Sequence, residues 1–144
     1  RDLSKVVNGK NPIVAHTYMG SDVKDKNVLI VDDMIASGGS VIEVAQKLRE
    51  MGAKKISITC TFALFTEGFS KFKEAKNQGL FDTVYTTNLS YIPKEILQHD
   101  WLKCVDMSFL VAQIIDSMDK KEPLTNYFNR TRETFKTVRK SINS

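Results

Sequence analysis

Residues 27–40 constrain this chain more than any other stretch. They read Asn-Val-Leu-Ile-Val-Asp-Asp-Met-Ile-Ala-Ser-Gly-Gly-Ser. Val28 to Val31 form an unbroken apolar, β-branched run, which predicts a strand buried on both faces of a parallel sheet. From Val41 the period changes. Val41, Val44, Ala45 and Leu48 recur at helical spacing, and Gly52 after Met51 supplies a stop. A strand that passes through two acids and a glycine turn into a helix is the opening unit of an α/β fold.

The rest of the chain repeats this alternation. Residues 13–19 read as a short strand and residues 55–62 as the strand after the first helix. A helix is expected over 67–78, with Phe69, Phe72 and Ala75 on one face and Gly79 at its end. Residues 82–87 read as a strand, 93–98 as a short helix, 102–105 as a strand and 108–118 as an apolar helix. The expected fold class is therefore α/β, a mostly parallel sheet flanked by helices.

At 144 residues the chain fits one domain, and 42% hydrophobic with 26% charged residues excludes a disordered class. The net charge of +4 is uneven: residues 120–144 hold seven Lys/Arg against two Asp/Glu, which leaves −1 for the remainder. A basic tail on a near-neutral body argues against a nucleic-acid-binding core. No apolar run approaches the roughly 18 residues of a membrane span, so no membrane partner is expected. No signal peptide is visible, and a chain that starts with Arg reads as a piece of something longer. Cys60 and Cys104 lack zinc-ligand spacing and lie in strand-like stretches, so both are expected as buried free thiols of a cytoplasmic protein. In the tail, Leu124, Phe128, Thr131, Phe135, Val138 and Ile142 form an a/d-like stripe on a basic helix. A domain over residues 1–128 and a basic amphipathic tail over 129–144 are expected.

Ligands in open α/β sheets sit beyond the carboxyl ends of the strands. Asp32 and Asp33 stand there, where carboxylates can accept bonds from neighbouring hydroxyls or hold a hydrated Mg²⁺. Ala36, Ser37, Gly38, Gly39 and Ser40 then run into a helix, and successive amides there can cup an anion. Diol acceptors followed by a phosphate nest describe a ribose phosphate. A nucleotide triphosphate cradle is not expected, because the Walker pattern is missing. Structural roles compete with this reading. Ser40 and Glu43 have capping-box spacing, Gly38-Gly39 could be a plain turn, and Asp32-Asp33 a surface pair. His16, His99 and Trp101 read as structural, and Asn88 as either a crevice residue or a turn.

Residues 28–40 closely resemble the phosphoribosyl pyrophosphate signature of type I phosphoribosyltransferases and ribose-phosphate pyrophosphokinases. Arg1, Asp2 and Leu3 resemble the end of the pyrophosphokinase catalytic loop, Thr86, Thr87 and Asn88 its strand-end turn, and residues 105–128 its last helix and close. The resemblance covers most of residues 1–128 and narrows to the C-terminal domain of a pyrophosphokinase. It implies that Asp32 contacts ribose hydroxyls, with Asp33 beside it or acting through Mg²⁺. It implies that Ala36, Ser37, Gly38, Gly39 and Ser40 hold the 5-phosphate, and that Arg1 is the loop arginine of catalysis and ribose 5-phosphate binding. The implied reaction moves a diphosphoryl group from ATP to ribose 5-phosphate, with Mg²⁺, to give phosphoribosyl pyrophosphate and AMP. Homo-oligomers, and a site shared with an ATP-binding N-terminal half that this sequence lacks, are implied too; the chain alone is then expected to be inactive.

The chain departs from the pattern in two places. Ala36 stands where many pyrophosphokinases have Asp, and Phe62, within Thr61-Phe62-Ala63-Leu64-Phe65-Thr66, replaces their His. Two rivals stay open: a freestanding phosphoribosyltransferase and a non-catalytic sensor of phosphoribosyl pyrophosphate.

Overall fold

The computed structural model describes residues 20–125, 127 and 139. The expected strand over 13–19, Arg1, His16 and almost all of the tail stripe lie outside the described residues. Four strands, β1 (Asn27–Ile35), β2 (Lys55–Ala63), β3 (Thr83–Thr87) and β4 (Leu102–Val105), form a sheet in the order β1-β2-β3-β4. Every pairing is parallel, with Asn27 opposite Lys55, Ser57 opposite Thr83 and Val84 opposite Leu102. Helices α1 (Gly39–Glu50), α2 (Ser70–Asn77) and α3 (Lys94–Leu97) make the crossovers, and α4 (Ser108–Asp119) follows β4. The α/β class read from the sequence is the class observed.

The strand order explains how the core is built. Right-handed crossovers that always step the same way along a sheet deposit their helices on one face. Val41, Ala45 and Leu48 of α1, Phe72 and Ala75 of α2 and Ile96 of α3 accordingly join one core with Ile56, Ile58 and Cys60 of β2 and Val84 of β3. On the opposite face Leu29 is 58% and Val31 74% exposed. The burial of β1 on both faces expected from its composition is thus corrected: an all-apolar run does not say which layers are present, and among the described residues one helical layer covers it.

Phe72 is the centre of an aromatic cluster. Phe65 and Phe81 meet it edge-on at 5.2 and 6.1 Å, and Trp101 stacks on it at 5.9 Å. Trp101 is core, and His99 also stacks on it at 5.5 Å. At the amino ends of the strands Asp82 pins the layers together: its Oδ2 accepts from the Ile56 amide at 2.7 Å and from Arg49 Nη2 at 3.2 Å. Arg49 Nη1 also donates to the carbonyls of Ala53 and Lys54.

Cys60 and Cys104 are both free, but only Cys60 is buried. Cys104 is exposed because β4 ends the four-stranded sheet and only its first residue, Leu102, is buried; the expectation of two buried thiols is corrected.

The described residues form two compact units that divide between Asp106 and Met107. In the second, the Tyr127 hydroxyl bonds the Gln113 carbonyl at 3.1 Å and shares a 2.9 Å bond with the Ser117 hydroxyl, which ties the segment after α4 back onto the helix. No helix among the described residues is long and apolar enough to cross a membrane.

Candidate functional site

β1 does not stop at Val31. Parallel pairing to β2 carries it to Ile35, with Asp32 opposite Cys60 and Met34 opposite Phe62. Asp32 and Asp33 therefore sit on a fixed strand end rather than in a loose turn. The Asp32 Oδ1 accepts the Asp33 amide at 2.9 Å, and the Asp33 Oδ1 accepts the Met34 amide at 2.8 Å. Each carboxylate is thereby oriented by its own backbone, with its second oxygen available to a hydroxyl.

The chain then turns sharply into α1. Gly38 is the helix N-cap, in the left-handed region at φ 84°, where a side chain is strained. The position is closed to side chains for a second reason. A Cβ there would lie 2.2 Å from Phe72 Cε2. The first helical bond runs from the Ile42 amide to the Gly38 carbonyl at 3.1 Å. The amides of Gly39, Ser40 and Val41 precede it and have no helical acceptor. No side chain caps them, and the first turn contains no acid. The capping box is therefore absent: Gly38, not Ser40, is the N-cap, and Ser40 lies inside the helix. That leaves the positive end of α1 open to an anion.

Asp32, Asp33, Met34, Ile35, Ala36, Ser37, Gly38, Ser40 and Val41 line one cavity of about 430 Å³. The acids and the amide turn thus open onto the same space. Neighbouring loop bonds hold the turn: the Ile35 carbonyl accepts the Leu64 amide at 2.8 Å, and the Ala36 carbonyl accepts the Thr66 amide at 3.0 Å. No Lys or Arg is among the described lining residues, which offer an anion amides and hydroxyls.

Of the residues singled out from sequence, Arg1 lies outside the described residues, and Gly39 lines the adjoining groove between α1 and α2 instead of the cavity. Asn88 bonds Asp106 at 2.7 Å through its side chain and the Val105 carbonyl through its amide, a strand-end tie. Phe62 is 38% exposed and brings no imidazole to this end of the sheet. Sequence reasoning assigned no role to Met34 and Ile35, although both sit inside the quoted motif, and it counted Val41 only as helix core. Burial pushes the Cys60 thiol pKa up, which disfavours the nucleophilic thiolate; the charge of Asp32 adds to that, against the lowering effect of hydrogen bonds with Thr86 and the Ile35 backbone.

A parallel α/β domain whose first described strand delivers two acids and a glycine turn to one cavity has its candidate site where open α/β sheets place their ligand sites, at the carboxyl end of a strand. The model of the phosphoribosyl synthetase-associated domain matches residues 4–129, and the chain belongs to that family. A ribose-phosphate pyrophosphokinase of Mycoplasmopsis pulmonis is 35% identical over 69% of this chain and 30% of its own length. One from Vibrio cholerae is 32% identical over 75% and 33%, and one from Thermococcus kodakarensis 55% identical over 33% and 17%. Among solved structures, phosphoribosylpyrophosphate synthetase from Mycobacterium smegmatis superposes with a TM-score of 0.62 at 25% identity, over 71% of this chain and 33% of that one. The chain spans a third or less of the length of these relatives.

Proposed function

We propose that this domain binds ribose 5-phosphate in the Asp32 cavity and serves as the C-terminal, sugar-phosphate-binding part of a ribose-phosphate pyrophosphokinase. One observation carries the reading: two backbone-oriented carboxylates and an uncapped helix terminus line the same space. A carboxylate pair accepts from vicinal hydroxyls, and a glycine-containing turn donates to a monoester; a sugar phosphate uses both at once.

In this reading Asp32 takes the ribose hydroxyls and Asp33 lies beside it. The backbone of Ala36, Ser37, Gly38, Gly39 and Ser40 holds the phosphate, with the Ser37 and Ser40 hydroxyls as further donors. Hydrogen bonds to a charged group contribute about 1.5–3 kcal/mol each, so three or four hold a monoester without a lysine. By the family resemblance Arg1 is the loop arginine of catalysis and ribose 5-phosphate binding. Diphosphoryl transfer from ATP is chiefly a matter of in-line placement and charge neutralisation. The bound sugar's 1-hydroxyl, fixed by Asp32, is the attacking group; phosphoribosyl pyrophosphate and AMP are the products.

Among the described residues no group of three or more metal-ligating side chains comes together. Two adjacent carboxylates suit a Mg²⁺ shared with substrate oxygens, held through water by Asp32 and Asp33. When bound it would neutralise phosphate charge. The ATP-binding half and assembly into homo-oligomers in the cytoplasm belong to this reading of the whole protein.

A second reading, a sensor that binds phosphoribosyl pyrophosphate without turnover, draws on Phe62, which stands where an imidazole is expected. Assay of the full-length protein for AMP release from ATP and ribose 5-phosphate separates the two. Release that depends on ribose 5-phosphate supports the enzyme; binding with no release overturns it in favour of the sensor.

A further inference from the structure

The loop between β2 and α2 holds a backbone outlier beside the turn that opens α1. Phe65 sits in the left-handed region at φ 46°, a conformation that costs a bulky L-residue free energy and persists only where its surroundings enforce it. Asp25 and Lys121 share the positive φ, but both are exposed polar residues. Phe65 is 6% exposed, and its ring meets Phe72 edge-on at 5.2 Å.

The hydrogen bonds show what this conformation achieves. On either side of Phe65, the amides of Leu64 and Thr66 donate to the carbonyls of Ile35 and Ala36, at 2.8 and 3.0 Å. Two residue steps on the loop thus match one step after β1, and the left-handed Phe65 takes up the extra residue as in a bulge. A trans peptide sets its N–H opposite its C=O. Bonds that draw these two carbonyls toward the loop after β2 therefore turn the amides of Ala36 and Ser37 the other way, and both residues line the Asp32 cavity. The Phe65 ring meanwhile backs the Phe72 ring, on which Gly38 is seated. Phe65 is not among the residues that line the cavity, so its influence on a ligand passes through the turn.

We propose that Phe65 is a positioning residue, which fixes the direction of the turn amides that hold the 5-phosphate. The inference rests on the ribose 5-phosphate reading of the cavity and extends it to a residue that touches no ligand.

Two conservative variants of the same aromatic cluster provide the test. Phe65→Leu and Phe81→Leu each remove a buried ring that packs on Phe72, but only Phe65 stands between the two loop bonds. In the intact, isotope-labelled protein, Phe65→Leu should move the amide resonances of Ala36 and Ser37 before any ligand is added. It should also lower ribose 5-phosphate affinity about tenfold or more, the contribution of one charge-assisted bond. Phe65→Met, whose flexible side chain fills irregular space, is the second variant and should act in the same direction. Phe81→Leu should leave those two resonances in place and the affinity within about threefold. Equal affinity in wild type and the Phe65 variants overturns the positioning role and leaves the cavity's assignment standing, whereas a wild type that binds no ribose 5-phosphate overturns both. Equal losses in Phe65→Leu and Phe81→Leu would reveal a merely loosened core and overturn the role as well.

Discussion

Gly38 rests directly on the ring of Phe72: a Cβ added to it would fall 2.2 Å from Cε2 and 2.6 Å from Cζ. The turn that opens α1 is thereby seated on the aromatic cluster of the core, and its shape is set by packing as well as by backbone preference. Phe72 is fully buried, so the ring cannot swing aside without disturbing Phe65, Phe81 and Trp101.

Replacing Gly38 should therefore damage both stability and binding. The left-handed backbone costs a β-carbon about 1–2 kcal/mol, and overpacking costs about 1–3 kcal/mol more. Gly38→Ala should lower stability by about 2–5 kcal/mol in urea melts, and Gly38→Val should also abolish ribose 5-phosphate binding. Gly39→Ala is the control. Its Cβ meets only Ser37 Oγ, at 3.9 Å, and stability should change by under about 1 kcal/mol. Equal losses at the two positions would contradict the packing argument.

Asp32→Ala should separate binding from folding. The residue is exposed and bonds only the next amide, so stability should stay within about 0.5 kcal/mol. Ribose 5-phosphate affinity should fall about tenfold or more, the value of one charge-assisted bond. Unchanged affinity by calorimetry would remove Asp32 from the site.

Asp82→Ala should do the reverse. It removes the acceptor of the Ile56 amide and of Arg49, and the Arg49 Nε is already buried without a partner among the described residues. The ion pair is partly exposed, at 29% and 39% of the two side chains, so most of the loss comes from the stranded amide, about 1–2 kcal/mol. The melt should shift while ribose 5-phosphate affinity holds; a change confined to affinity would refute the assignment of Asp82 to the scaffold.

The two thiols should react differently. Cys104 is exposed and Cys60 buried, so a thiol reagent at pH 8 should label Cys104 quickly and Cys60 only on unfolding. Burial raises the Cys60 pKa above its ordinary 9.0. Above pH 9 the unfolded chain sheds that proton first and binds fewer protons than the native state, so stability falls as pH rises towards the native pKa. Below pH 9 the effect vanishes. Cys60→Ala should flatten this alkaline decline; an unchanged pH profile would show that Cys60 plays no part in it.

The sequence made most elements legible because they carry local signals. Residues 102–105 were read as the strand that β4 occupies, and Gly52 and Gly79 stop helices at φ 87° and 71°. β1 ran past its expected end because pairing with β2 overrides the poor strand preference of Asp32 and Asp33. Ser40 was open to a capping reading because capping is judged from spacing, whereas Phe72 and the left-handed Gly38 set the true start of α1. The Arg49–Asp82 tie spans 33 residues and leaves no periodic trace. In the site, the acids and the turn were visible as a motif; that they share one cavity and that Gly39 faces another groove depended on the path of the chain.

The most direct test of the central claim is a crystal of the protein grown with ribose 5-phosphate. The account predicts the phosphate within hydrogen-bond reach of the amides of residues 37–41, with the ribose hydroxyls on Asp32. A sugar phosphate bound elsewhere, with the Asp32 cavity occupied only by solvent, would contradict it.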